Sequence, residues 1–326
     1  MDTDAPAETV VRPSKLVLSP DDPLGAAARA AIVQGVEALK QMQAGAIAGE
    51  VEPLHQLRVA MRRLRAAIEL FAGVLHGSRV RVYKRDLPWL GQAAGMVREC
   101  DVVGDLIRTR SAKLDPQMAE ALAPIYDALA ERRKTEHQAF LAMTDSKRCV
   151  LLLERVSRPM IRKVDAGTTV RSKAAVMIRP MARSVGRAGS KLAEDSPPES
   201  FHRLRVRVKR LRYAFEMIAP LGGKRHKKAL ARLVATQDLL GLYQDGVAAI
   251  AWMRSHCASG AVPPTTLLAA GALIQSLLKR QRKLSARCLK RWKRLERKGI
   301  IRNAIAEIGR KAHAAPVPAL EVVDAA

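Results

Sequence analysis

Two sets of four basic residues could do chemistry in this chain: His55, Arg58, Arg62 and Arg65, and then His202, Arg205, Lys209 and Arg212. Within each set the steps are three, four and three residues, the spacing that returns side chains to one face of a helix. Imidazolium, guanidinium and ammonium groups all donate charge-assisted hydrogen bonds to anionic oxygens, each worth roughly 1.5 to 3 kcal/mol before screening and ordering costs. One acid follows each set, Glu69 and Glu216, four residues beyond Arg65 and Arg212. Each acid is placed to hold that guanidinium as an i,i+4 partner. Two unit charges about 6 Å apart repel by roughly 3 kcal/mol at an effective dielectric near 20. A cleft lined by both stripes therefore requires counter-charge beyond one acid per stripe, and the expected source is a ligand.

The segments that must position these residues are copies of each other. HQLRVAMRRLRAAIELF from His55 to Phe71 aligns with HRLRVRVKRLRYAFEMI from His202 to Ile218. Leu57, Met61, Leu64, Ile68 and Phe71 form an apolar stripe in the first copy, matched by Leu204, Val208, Leu211, Phe215 and Ile218 in the second. The basic stripe lies about 120° around each helix from the apolar one. One face can enter a core while another lines a groove.

Lys and Arg number 57 against 31 Asp and Glu in 326 residues, a formal net charge of +26. That excess points to a polyanion: nucleic acid, an anionic membrane surface or inorganic polyphosphate. Cys100, Cys149, Cys257 and Cys288 show no CxxC or Cys/His cluster, so neither a disulfide framework nor a zinc site is expected, which fits a reducing cytoplasm. No stretch has the length of a membrane span and no apolar leader is evident. The expectation is a soluble cytoplasmic chain with no cofactor and no metal.

Ala, Leu, Arg, Glu and Lys dominate the periodic segments and no β-branched run alternates at period two, so the class is all-α. Residues 1–21 and 313–326 read as tails, leaving repeats over 22–165 and 166–312. Each repeat offers four helical segments: an amphipathic opener, the basic helix, a third segment, and a long helix with basic residues. The third segments, Tyr83 to Val103 and Lys227 to Val247, also resemble each other. Two four-helix bundles side by side are expected. Ser196, Pro197 and Glu199 spell a capping box before the second basic helix. Asp115 with Pro116 opens the segment that runs to about Met143. Pro88, Pro124 and Pro180 are expected to kink or split their helices. Gly95 and Gly241 are expected at close-packing or helix-end positions.

The blocks LHQLRVAMRRLRAAIELF and FHRLRVRVKRLRYAFEMI, supported by LGQAAGMVRECDVV and QDLLGLYQD, resemble the CHAD domain, the conserved histidine α-helical domain. The resemblance covers about residues 24–310. It implies two pseudo-symmetric four-helix bundles around a basic central cavity, noncatalytic binding of inorganic polyphosphate, and association with polyphosphate granules. Carried over by position, it implies polyphosphate contacts at His55, Arg58, Arg62, Arg65, His202, Arg205, Lys209 and Arg212. It adds Lys279, Arg280, Lys283, Arg287 and Arg291 from the last basic helix. Arg98-Glu99-Cys100-Asp101 and Gln244-Asp245 stand where an Arg-Asp pair is more usual in such domains, and they are read as interhelical structural contacts.

Two other classes compete. Nucleic-acid binding is the main rival, but aromatics are only 3% of the chain and do not interleave with the basic stripes, so stacking platforms for single strands are not expected. A polyphosphate-processing enzyme would need metal-holding carboxylates or an activated nucleophile, and acids are scarce where the bases cluster.

Overall fold

Both apolar stripes bury as their period requires. Leu57, Met61, Leu64, Ile68 and Phe71 are at most 5% exposed, and Leu204, Val208, Leu211, Phe215 and Ile218 are 0% exposed. The computed structural model describes residues 17–260 and 262–314, and its regular structure is all helical apart from two isolated bridges. The first repeat supplies α1 (Leu24–Ile47), α2 (Val51–Leu70), α3 (Gly77–Ser111), α4 (Pro116–Glu120), α5 (Ala123–Thr144) and α6 (Lys147–Ser157). The second supplies α7 (Val170–Gly189), α8 (Pro198–Met217), α9 (Lys224–Cys257), α10 (Pro264–Arg297) and α11 (Ile300–Ala314), with a 3-10 turn at Ala219–Leu221.

The duplication persists in the packing. In the first repeat α1 packs on α2, α2 on α3, α3 on α5, and α6 returns to α1. In the second, α7 packs on α8, α8 on α9, α9 on α10, and α11 returns to α7. Each repeat thus carries a returning helix beyond the four segments read from the sequence. The repeats meet where α2 packs on α8 and α3 on α9. Short backbone bridges, Pro23 to Thr169 and Leu75 to Ile161, tie the inter-repeat segment back to the first repeat.

The core does not divide by repeat. One cluster joins α1, α2, α6, α7, α8, α11 and the near parts of the long helices. The other gathers Val103 and Ile107 from α3, Ile125 and Leu129 from α5, Ala249 and Met253 from α9, and Leu273 and Leu277 from α10. Length explains this: α3, α9 and α10 have 35, 34 and 34 residues, against 20 in each of α2 and α8. At 1.5 Å per residue they outrun the basic helices by roughly 20 Å, so their far ends bury their apolar faces against one another. The result is two cores that each draw on both repeats.

Several local expectations change as well. Pro88 and Pro180 lie inside continuous helices, whereas Pro124 stands in the first turn of α5 and splits the expected long helix into α4 and α5. Asp115 does cap α4, accepting from the Gln117 amide at 2.9 Å. The Ser196 capping box does not form: α8 starts at Pro198, and the Ser196 hydroxyl instead accepts from the Ala193 amide at 2.8 Å. A reciprocal capping box is built at α7, from Thr169 and Ser172. Residues 17–21 are pinned rather than loose. Leu18 is 3% exposed and its amide donates to the Met217 carbonyl at 2.8 Å, while Arg171 donates to Asp21. The remainder of the expected tails, 1–16 and 315–326, lies outside the described residues. Gly95 is closely packed, but Gly241 lies within α9 facing open space.

Trp292 of α10 crosses over Gly189 at the end of α7, where an added Cβ would run into the indole ring. Ala in place of helical Gly normally stabilises by about 0.5 to 1 kcal/mol, but overpacking a filled core costs about 1 to 3 kcal/mol. Gly189→Ala is therefore expected to lower stability in urea titration by about 1 to 2 kcal/mol, with Trp292→Leu recovering part of the loss in the double variant. A neutral Gly189→Ala together with additive double-variant behaviour would contradict the contact.

Candidate functional site

Where α2 meets α8, two separate stripes become one cavity of about 190 Å³. Arg58, Arg62 and Arg65 line it from α2, and His202, Arg205, Lys209 and Arg210 from α8. Met61, Val206, Tyr213 and Gly91 complete the wall, and no carboxylate is among its lining residues.

Each cation is set by its surroundings. Arg58 donates through Nη1 to the Gly91 carbonyl at 3.0 Å, and the same nitrogen lies 2.5 Å from where a Cβ on Gly95 would stand. Gly95 is thus the position that leaves room for this guanidinium on the face of α3. Arg62 donates through Nε to the Tyr213 hydroxyl at 3.3 Å, across the repeat boundary. The Nε of Arg205 is buried with no hydrogen-bond partner among the described residues. His202 is exposed, at the rim.

The electrostatics show how crowded the charge is. Burial, reinforced by Arg62, Arg205 and Arg98, lowers the Arg58 pKa to about 10. Burial also lowers Arg205, with Arg62 adding to the effect and Asp245 opposing it. Arg65 is lowered by burial and by Arg210. The Lys209 amine goes furthest, to about 6, through burial and then Arg205, Arg62 and Arg58. Desolvation and like charge act in the same direction on each of these groups. Burial would raise the Tyr213 phenol, but Arg62 and Arg212 beside it hold it below its ordinary value.

The acids take different roles in the two repeats. Glu216 holds Arg212 at 2.6 Å as the i,i+4 spacing predicts. Glu69 does not form the expected pair with Arg65; it reaches across to Arg210 at 3.3 Å and links α2 to α8. The Arg-Glu-Cys-Asp segment supplies interhelical contacts as expected, with Arg132 of α5 on Glu99 at 3.2 Å and Arg133 on Asp101 at 2.6 Å. Asp245 of α9 also acts across helices: burial raises its pKa, and Arg205 and Lys209 of α8, Arg280 of α10 and Arg98 of α3 oppose that rise.

Of the thirteen candidate residues, the cavity gathers Arg58, Arg62, Arg65, His202, Arg205 and Lys209. His55 is half-buried outside the lining, its pKa lowered by burial and then by Arg98. Arg212 is turned away behind Tyr213, stacked 4.2 Å from that ring and donating to Gln237 at 2.7 Å and Glu216 at 2.6 Å. None of the five α10 candidates reaches this lining. Lys279 and Lys283 are exposed, and Arg280 is half-buried near Arg110 and Asp245. Arg287 and Arg291 line a different cavity. The sequence reading missed Arg210, Tyr213 and Gly91. Tyr213 had a usable signal, since it lies four residues past Lys209 on the same helical face. Gly91 had none, because it enters from another helix.

The fold is shared with solved structures at low identity. The CHAD domain from the plant Ricinus communis superposes with a TM-score of 0.66 at 23% identity, covering 95% of this chain and 98% of that one. PptA from Streptomyces chartreusis gives 0.68 at 17% identity, over 84% and 100%. Uncharacterised proteins of two Mycobacterium tuberculosis strains are 24% identical over 269 residues, 78% of this chain, which spans about half of their length. The family model of the CHAD domain matches residues 30–254, most of the helical body including both basic helices. The chain belongs to the CHAD domain family.

Proposed function

We propose that this chain binds inorganic polyphosphate in the cavity between α2 and α8 without turning it over, and that this binding associates it with polyphosphate granules in the cytoplasm. One observation carries the reading: Lys and Arg side chains from both repeats converge on one wall that has no carboxylate, and the buried Arg205 Nε has no partner among the described residues. A thin chain with one charge per phosphate supplies the counter-charge and the acceptors together. Family membership supports polyphosphate as the polyanion. A cavity of about 190 Å³ is too small for a duplex, whose major groove alone is about 12 Å wide. The wall's one Phe, Tyr or Trp is Tyr213; it is 3% exposed, with Arg212 over its ring and Arg62 on its hydroxyl, so it offers no open face on which a base could stack. Among the described residues no helix is long and apolar enough to cross a membrane.

Three kinds of measurement test the reading, and the first is of binding itself. Arg58→Ala with Arg205→Ala removes two charge-assisted donors, so polyphosphate affinity is expected to fall at least about 100-fold while far-UV circular dichroism stays unchanged. Full-strength binding by that variant would remove the cavity from the function. Long-chain polyphosphate is likewise expected to displace single-stranded DNA or RNA at near-physiological salt, and the reverse order would favour nucleic acid.

The second outcome concerns pH. In the free protein Lys209 titrates at about 6, and a bound polyanion stabilises its ammonium form and raises that value. Between about 6 and the raised value the complex holds more protons than its separated parts, so affinity rises as pH falls from 8 towards 6 and the Lys209 contribution levels off below. The slope is at most tenfold per pH unit. It is expected to persist in a His55→Asn, His202→Asn background and to flatten when Lys209→Met is added; a slope indifferent to Lys209→Met would refute the linkage.

The third outcome addresses turnover. After incubation with Mg²⁺ or Mn²⁺, gel analysis is expected to find polyphosphate chain length unaltered. Shortened chains would overturn the noncatalytic reading.

A further inference from the structure

Lys209 is the only primary amine in the wall of the α2–α8 cavity, and no cysteine lines it. Its nitrogen makes no hydrogen bond or ion pair among the described residues. On α8 it stands one turn beyond Arg205 and one turn before Tyr213, so the three side chains share a face. Arg62 crosses from α2 to the Tyr213 hydroxyl at 3.3 Å, and Arg58 enters from the same helix, held by the Gly91 carbonyl at 3.0 Å. Guanidiniums therefore bracket the amine along α8, with Arg65, His202 and Arg210 completing the charged lining.

Burial, then Arg205, Arg62 and Arg58, bring the Lys209 pKa down to about 6, with Asp245 of α9 opposing. A lysine desolvated beside other cations is a nucleophile at neutral pH. A bound polyanion calls for the protonated form, whereas the empty cavity holds the reactive one.

We propose that Lys209 is a modification site: the empty cavity takes up a small acyl phosphate, and the acyl group passes to the Lys209 amine. The proposal rests on the anion-binding cavity argued above and not on polyphosphate as its ligand. Arg58, Arg62 and Arg205 hold the phosphoryl end through charge-assisted hydrogen bonds, which sets the acyl carbon beside the amine. The nitrogen lone pair attacks that carbon, a C–N bond forms, and the C–O bond to the phosphoryl group breaks. Its electron pair leaves with the phosphate, which also takes the proton released by nitrogen; the products are an amide and hydrogen phosphate. The guanidiniums stand where charge develops on the departing oxygens.

Magnitudes favour this amine over a surface one. Near pH 7.5 an ordinary lysine, with a pKa near 10.4, is neutral in about one molecule per thousand, whereas Lys209 at about 6 is almost wholly neutral. Low basicity weakens a nucleophile, and a Brønsted slope of about 0.4 to 0.5, measured for thiols, takes back about two of those three powers of ten. An advantage of about tenfold remains before phosphoryl binding adds to it. The amide cannot be protonated, so the acylated cavity holds one cation fewer.

Peptide mass spectrometry of the full chain after brief exposure to acetyl phosphate near pH 7.5 tests this. Lys209 is expected to acetylate at least about tenfold faster than the exposed Lys279 and Lys283, and inorganic phosphate is expected to slow Lys209 selectively. The N-hydroxysuccinimide ester of acetic acid, which lacks a phosphoryl group, is expected to favour Lys209 less. Lys209 no faster than the two reference lysines overturns the proposal, and so does equal preference for the two reagents. Selective acetylation in a protein without affinity for polyphosphate removes the polyphosphate reading and leaves this site standing. Tight polyphosphate binding with an unreactive Lys209 does the reverse.

Discussion

Like charge packed against like charge along the contact of α2 with α8 is the constraint on which the rest of this structure depends. Arg58, Arg205 and Lys209 are desolvated there, and each is further destabilised as a cation by Arg62. Desolvating an ion costs several kcal/mol even after relaxation, so the contact does not hold itself together. The helices are pressed into place from their other faces. The apolar stripes of α2 and α8 enter one continuous core shared with α1, α7 and the near parts of α3 and α9, and that burial sets the axial and rotational position of both basic faces.

Polar contacts then fix the details that hydrophobic burial leaves loose. Glu69 on Arg210 joins the two basic helices directly. Asp101 anchors Arg98 and Arg133 together, and Arg133 donates onward to the Gly49 carbonyl at 2.8 Å, tying α3 and α5 to the turn between α1 and α2. Gly49 occupies that turn at φ 81°, a left-handed conformation that glycine adopts without the steric penalty of a side chain. Arg212 shows the opposite use of the same residue type. With Glu216, Gln237 and the Tyr213 ring all engaged, it is a strut behind the cavity wall and not part of its surface.

Periodicity made the basic helices, their buried faces and six of the eight stripe residues legible in the sequence, because a helical face is a local property. What a stripe faces is not local. Glu69 pairs across the repeat boundary while the matching Glu216 pairs within its own helix, and identical spacing offers no means of telling them apart. The α10 basic run was legible as charge but not as a place, since its direction depends on which side Leu284, Cys288, Trp292 and Leu295 bury. The division of the core was hidden for a related reason: repeat boundaries follow the chain, whereas the cores follow helix length.

The two copies differ at one position whose chemistry matters most. Arg62 in the first repeat corresponds to Lys209 in the second. A guanidinium stays protonated throughout the range in which proteins work, whereas a buried ammonium readily gives up its proton. In a cavity walled by Arg58, Arg62, Arg65, Arg205 and Arg210, a further arginine at position 209 would add a charge that the unliganded protein has no means to shed. Lysine at about 6 lets the empty cavity relax by one charge and regain it when counter-charge arrives. Under the proposed function, a perfect duplication would suit the anion-bound cavity best and the empty one least, and the single Lys-for-Arg difference separates those two demands.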